Sequence, residues 1–291
     1  MGSQIAVEHA LAGHSVTALG RDRDSAHARL VDAADVALNA ALCSASDCAA
    51  ALARIAIEAD PLAVQRPVAL VMESLTEDLG VKASLLQPLA RALPETVIAT
   101  NTSSLSITTL GDRIEAPDRT VGMHYWNPPL LMPLVEVIAG RHTSRETLDF
   151  AQEVVTRLAK RPIVVTREIP GFVWNRLQFA LLREALWLVE EHVATAEAID
   201  EVVRDGLARR WRYTGPFQTA SLGGVETFER IANTLFPNLA STHSALGLKR
   251  HGALEENQLV ELRKLRDEGL ARDLREDRRR SDDAAQPPDA G

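Results

Sequence analysis

Short apolar runs alternate with helix-patterned stretches over residues 1–166, and that alternation restricts the fold more than any other feature of the chain. The runs "HSVTALG", "IAIEA", "VALVM", "TVIAT", "TVGMHYW", "LVEVIAG" and "PIVVT" have the length and content of buried strands. Helical patterns lie between them: Gly2 to Ala12, about 24–42, "SDCAAALARI" capped by Ser46 or Asp47, about 81–92, and a stretch from Thr143 or Ser144 to about Ala159. Such alternation predicts an α/β domain of Rossmann type with a mostly parallel sheet. A glycine opening a helix that leads into a strand is the second half of a dinucleotide-binding βαβ unit. The first half, a strand and a Gly-x-Gly turn, is absent ahead of Met1, so the sheet is expected to lack its first strand.

After Thr166 the pattern holds helices only. "PGFVWNRLQFALLREALWLVEEHV" is apolar nearly all round, with Phe172, Asn175, Phe179, Leu182, Leu186 and Val189 at the spacing of one face. Such a helix is covered by other helices or by a second subunit. "TAEAIDEVVRDGLA" reads as a further helix, capped by Thr195 and ended near Gly206. The expected organisation is a sheet domain over 1–168, an all-helical substrate and dimerisation domain over 169–262, and a charged, largely disordered tail over 263–291.

A net charge of -8 argues against binding a phosphate backbone. No apolar run reaches membrane-spanning length, and Glu8, His9 and His14 interrupt the only apolar N-terminal stretch, so a cytoplasmic protein is expected. Cys43 and Cys48, the only cysteines, read as reduced and half-buried, and no metal site is expected.

His124 ends an apolar strand, the place where ligand and catalytic groups gather in open α/β sheets. Glu136 interrupts the otherwise apolar "PLVEVI", where a carboxylate is costly unless paired. A His on the neighbouring strand is one partner for it, fixing the imidazole tautomer for proton transfer; a solvent-facing His and an exposed Glu is the other reading. "ATNTSSLSIT" ends a strand in the amide of Asn101 and several hydroxyls, with Ser104 also suited to capping a short helix. Asn175 on its apolar face needs a hydrogen-bond partner, structural or substrate.

"MGSQIA", "ATNTSSLSIT", "GMHYWNPPLLMPLVEVI", "TSRETLDFA", "KRPIVVTREIPGFVWNRL" and "EALWLVEEHVATAEAID", in this order, resemble the 3-hydroxyacyl-CoA dehydrogenase family over roughly residues 1–225. The resemblance implies His124 as the catalytic base, Glu136 as its carboxylate partner and Ser103 as the hydroxyl that bonds the reacting oxygen. It places Asn127 and Asn175 at the substrate, and Glu77, Lys82 and Asn101 on the cofactor side. Gly2 then matches the third glycine of the dinucleotide turn, with the first two expected upstream of a misplaced start. The acidic residue that binds the adenosine 2′-hydroxyl is replaced: Gly20 occupies its place, followed by Arg21, while Asp22 remains nearby. NAD is the expected cofactor, and the cation beside Gly20 keeps NADP open.

The implied activity is hydride transfer between the nicotinamide and the 3-hydroxyl of a 3-hydroxyacyl-CoA, and the over-apolar 172–189 helix suggests a homodimer through the helical domain. "GLARRWRYTGP" resembles the branch acting on free hydroxy acids such as gulonate and carnitine, with Arg210 or Arg212 suited to a carboxylate. A lens-crystallin-like, non-catalytic role for the same fold is the alternative of another class.

Overall fold

The computed structural model describes residues 1–64, 67–242, 245, 247–252 and 254–285, without the side chains of 249 and 281–285. Contacts divide it into two units, Met1–Val173 with Val260 onward, and Trp174–Leu259. In order, the first unit holds α1 (Gly2–Leu11), β1 (Val16–Leu19), α2 (Arg23–Asn39), α3 (Ala45–Ala53), β2 (Ile55–Glu58), β3 (Leu70–Glu73), α4 (Leu79–Ala92) and β4 (Val97–Thr100). It continues with α5 (Ile107–Arg113), β5 (Thr120–Tyr125), β6 (Leu134–Ala139), α6 (Arg145–Arg157) and β7 (Arg161–Val165).

The strands form two sheets, β1-β2 and β3-β4-β5-β6-β7, parallel throughout except for the antiparallel pair β5-β6. Helix α1 serves both. Its Ile5 packs into the cluster of Ala99, Val121, Met123, Tyr125, Val135 and Val137, under α6. Its Val7 packs with Leu30, Ala33 and Ala34 of α2 and with the β1-β2 side chains. On the opposite face of the larger sheet, Leu86 of α4 and Leu110 of α5 cover Ile98. Strand side chains alternate between faces, so Val121, Met123 and Tyr125 point toward α1 while Gly122 and His124 point away. Gly122 is required on that second face. A Cβ there lies 3.0 Å from side-chain atoms of both Ile107 and Ile138.

Local signals set the helix starts, in three cases at residues other than those expected. The α3 cap is Ser44, in a reciprocal box with Asp47, because its side chain reaches the third backbone N–H. Cys43 and Cys48 flank that box as an apolar staple, their sulfurs 2.6 Å apart and both thiols free. Asp78 starts α4 two residues earlier than expected. Ser106, and not Ser104, caps α5.

In the second unit, α7 (Trp174–Glu190) is followed by α8 (Ala196–Glu201), a π-helical turn Val202–Leu207, and α9 (Ala208–Trp211). Gly206 does not stop this run. It does not take the left-handed backbone with which a glycine commonly closes a helix. Then come α10 (Pro216–Leu222), α11 (Val225–Leu235) and α12 (Leu248–His251); α13 (Glu256–Ala285) begins in this unit and belongs to the first from Val260 onward. Phe172 does not lie on α7 as expected; it sits at φ 49° in a left-handed turn just before it, after Gly171 at φ 80°. The apolar helix is also less covered than expected. Leu177 and Phe179 are 63% and 56% exposed, and Leu186 is its buried residue.

The charged tail is not loose over 263–285. Ala271 and Leu274 of α13 are buried, Ala271 packs with Ala40 and Leu131, and Arg275 donates to the Ala40 carbonyl at 2.6 Å. A few small apolar residues on one face anchor a helix whose composition is otherwise that of a solvated segment. Residues 286–291 lie outside the described residues.

Two groups on α1 set opposite pH limits on this unit. Burial pushes the Glu8 carboxyl from 4.5 up to about 7, against the pull of Lys160 and Arg278. Burial, with the His14 charge, lowers His9 from 6.5 to about 4. The raised carboxyl contributes stability that is present below about 4.5 and lost as pH rises through 7. The lowered imidazole contributes stability present above about 6.5 and lost as pH falls through 4. The melting temperature of Glu8→Gln is therefore expected to gain on the wild type between pH 5 and pH 8, and that of His9→Gln to gain on it from pH 6 to pH 4. Thermal melts across pH check both, and a constant offset in either variant counts against the assignment.

Candidate active site

Antiparallel pairing of β5 with β6 sets His124 directly opposite Glu136. Both side chains leave the sheet on the face away from α1, and both are buried, Glu136 completely. His124 Nδ1 lies 2.7 Å from Glu136 Oε2. The carboxylate only accepts, so the proton sits on Nδ1 and Nε2 carries the lone pair. Trp126 Nε1 donates to the same oxygen at 3.4 Å, and the Val173 backbone N–H donates to Oε1 at 2.9 Å. The alternative of a solvent-facing pair is excluded.

Nε2 faces Ser103 Oγ at 3.2 Å. The Ser103 loop is held by Glu77, whose Oε1 accepts from Thr102 Oγ1 (2.6 Å), Ser103 N (2.9 Å), Ser104 N (2.8 Å) and Ser104 Oγ (2.9 Å). Burial raises the Glu77 carboxyl, but these bonds and the Lys82 charge outweigh it and leave it below the usual carboxylate range. Glu77 is thus an organiser of the serine loop. Asn101 is used in the same way, its Oδ1 accepting from Tyr125 N at 2.8 Å and tying the end of β4 to β5.

Lys82, expected on the cofactor side, pairs with two glutamates. It is fully buried, with Nζ at 2.8 and 2.9 Å from the two oxygens of Glu73 and 3.6 Å from Glu77. Glu73, also buried, accepts further from Thr100 Oγ1 at 2.6 Å and from Leu75 N. A buried carboxylate needs a charged partner, and Glu73, which the sequence reading passed over, claims the ammonium.

Phe172 was read from sequence only as part of a helix face, yet its ring lies 5.7 Å from that of His124. It is buried with Ile107, Ile138 and Val165. The left-handed backbone after Gly171 turns it inward and aims Val173 N at Glu136. The signal was the Pro-Gly-Phe triplet.

Asn127 is exposed, three residues beyond His124 on the β5–β6 connection. Asn175 stands on the first turn of α7, half-buried, in the second unit. Gly2 opens α1 with no side-chain cap on its first turn, and a Cβ there meets Ser74 only at ordinary contact distance, 3.5 Å. Gly20 ends β1 against α2, a Cβ lying 2.8 Å from that of Ala26. Arg21 follows, exposed, while Asp22 accepts from Ser25 N and caps α2. No group of three or more His, Cys, Asp or Glu among the described residues is placed to hold a metal ion, and no described helix is long and apolar enough to cross a membrane.

This arrangement can take a proton at Nε2, hold an oxygen near Ser103, and stabilise the resulting imidazolium through Glu136. Two family models match the chain: "3-hydroxyacyl-CoA dehydrogenase, NAD binding domain" over residues 1–169 and "3-hydroxyacyl-CoA dehydrogenase, C-terminal domain" over 171–267. L-carnitine dehydrogenase of a Pseudomonas species is 41% identical over 155 residues, 53% of this chain and 48% of that protein. A 3-hydroxybutyryl-CoA dehydrogenase of Clostridioides difficile is 37% identical over 174 residues, 60% of each. Among solved structures, a 5-formyl-3-hydroxy-2-methylpyridine 4-carboxylic acid 5-dehydrogenase superposes with a TM-score of 0.83 at 27% identity, covering 93% of both chains. The matched part of the chain spans about half the length of the curated relatives.

Proposed function

The chain belongs to the 3-hydroxyacyl-CoA dehydrogenase family, and on that premise we propose that it moves a hydride between NAD and the 3-hydroxyl carbon of a 3-hydroxyacyl substrate. The observation that carries this reading is the line Glu136–His124–Ser103, with bonds of 2.7 and 3.2 Å. Nε2 takes the hydroxyl proton while Ser103 and Asn127 orient the oxygen, and Asn175 is the further substrate-binding residue that the family resemblance offers. The nicotinamide, when bound, supplies the hydride acceptor.

The residues present suit such a cofactor. The uncapped first turn of α1 offers backbone N–H groups for a pyrophosphate, and the glycine at the end of β1 lets that strand end pack closely against Ala26 of α2. Gly2, Gly20, Arg21, Glu77 and Asn101 are the residues assigned to the cofactor in this reading, with Lys82 acting through its pairing with Glu73. Arg21 decides between NAD and NADP at the adenosine ribose. Asp22 is committed to its helix, and Gly20→Asp is obstructed by Ala26, so Arg21→Asp is the informative change. It is expected to raise the NAD-over-NADP ratio of kcat/KM at least tenfold, through repulsion of a 2′-phosphate. An unchanged ratio removes Arg21 from the ribose.

A second reading, a free 3-hydroxy acid in place of a CoA thioester, is favoured by the 41% identity to an L-carnitine dehydrogenase. Arg210, which with Tyr213, Thr214 and Thr219 lines a surface recess of the helical unit, is the anchor offered for a carboxylate. Assays of acetoacetyl-CoA, carnitine and free 3-hydroxy acids with both cofactors separate the readings, and no turnover with any of them would favour the non-catalytic role. The exposed Leu177 and Phe179 on α7 support homodimerisation, which sedimentation tests.

A further inference from the structure

The connection between the strands that carry His124 and Glu136 runs Asn127-Pro128-Pro129-Leu130-Leu131-Met132-Pro133. Its three prolines have no backbone N–H, so the segment has few donors with which to hold itself. It is held through its carbonyls instead. Lys160, immediately before β7 and buried, donates to the Pro129 carbonyl at 2.7 Å and to the Met132 carbonyl at 2.6 Å. Its remaining N–H meets Glu8 Oε1 of α1 at 2.8 Å. An ammonium has three donors, and here all three are placed.

We propose that Lys160 is a positioning residue for the reaction, pinning the His124–Glu136 connection at both ends and joining it to α1. This rests on the dehydrogenase reading above. Pro129 lies five positions after His124 and Met132 four before Glu136, so the two bonds fix the span 129–132, which begins two residues after Asn127. The third bond links that span to the helix whose first turn faces the cofactor phosphates in the same reading. A change at Lys160 therefore moves the substrate-side amide relative to the dyad without touching either. Neither the spacing of the motifs nor the dyad geometry assigns Lys160 such a role; the convergence of two carbonyls and one carboxylate on a single buried nitrogen does.

The test is Lys160→Met, with Lys160→Gln, which keeps two donors, as the variant to use if the first does not fold. The expected result is a kcat lowered about tenfold or more in Lys160→Met and by less in Lys160→Gln. NADH affinity should stay within twofold. Amide hydrogen exchange should accelerate in peptides spanning 127–134 and stay unchanged in α6 and β4. A folded Lys160→Met with wild-type kcat overturns the proposal, as does unchanged exchange over 127–134. A general rise in exchange with matched loss of NADH binding also overturns it, because it shows a role in overall stability only. If the wild type turns over none of the 3-hydroxy substrates, the dehydrogenase reading fails. The exchange measurement then still decides whether Lys160 pins the connection.

Discussion

His124→Gln is expected to lower kcat by at least about a hundredfold, the usual scale for loss of a general base, while the protein stays folded. The side chain is buried, with one ring nitrogen on Glu136 and the other on Ser103. A glutamine amide can still donate to Glu136, so the carboxylate, which also accepts from Val173 N and Trp126 Nε1, keeps a partner. What the amide cannot do is bind a proton near neutral pH. The loss should therefore fall on kcat, with NADH affinity and the circular dichroism spectrum little changed. Turnover within threefold of the wild type would remove the imidazole from the chemistry. The serine–histidine–glutamate line would then be a structural network at the end of the sheet.

The dyad was legible in the sequence because two independent rules agreed on it. A carboxylate inside an apolar strand demands a partner, and a strand-end histidine twelve positions earlier supplies one across an antiparallel pair. The register of β5 with β6 then follows from the pleat, since a slip of one residue would send His124 or Glu136 to the α1 face. Helix caps were legible only to within two residues, because "CSASD" and "NTSSLS" each contain several side chains able to cap. Gly206 misled for a related reason: glycine permits a helix end but does not impose one. The packing of the charged C-terminal helix on Ala40 and Leu131 rests on Ala271 and Leu274, too few apolar residues to produce a visible pattern. The role of Lys82 was hidden differently. Two glutamates, Glu73 and Glu77, stand within reach of it in sequence, and only the fold shows which one is buried.

Lys82→Met is accordingly expected to act on stability first, and the reason lies in the asymmetry of buried ion pairs. Glu73 sits at the end of β3 with 3% exposure, and Lys82 at 0% is its only cationic partner among the described residues. Removing one member of such a pair leaves the other charge uncompensated, at a cost of about 3–5 kcal/mol. Thr100 Oγ1 and Leu75 N still donate to Glu73 and soften that cost without cancelling it. Replacing both members together should cost less, so Lys82→Met with Glu73→Leu is expected to melt above Lys82→Met alone; the double-mutant cycle isolates the pair. A weaker effect on the cofactor follows through Glu77, which loses the ammonium 3.6 Å away and with it part of its hold on the serine loop. Thermal melts of the three variants, with NADH titrations on those that fold, separate the two roles. A Lys82→Met protein that melts with the wild type yet binds NADH more than tenfold more weakly would return Lys82 to the nicotinamide, as the sequence resemblance implies.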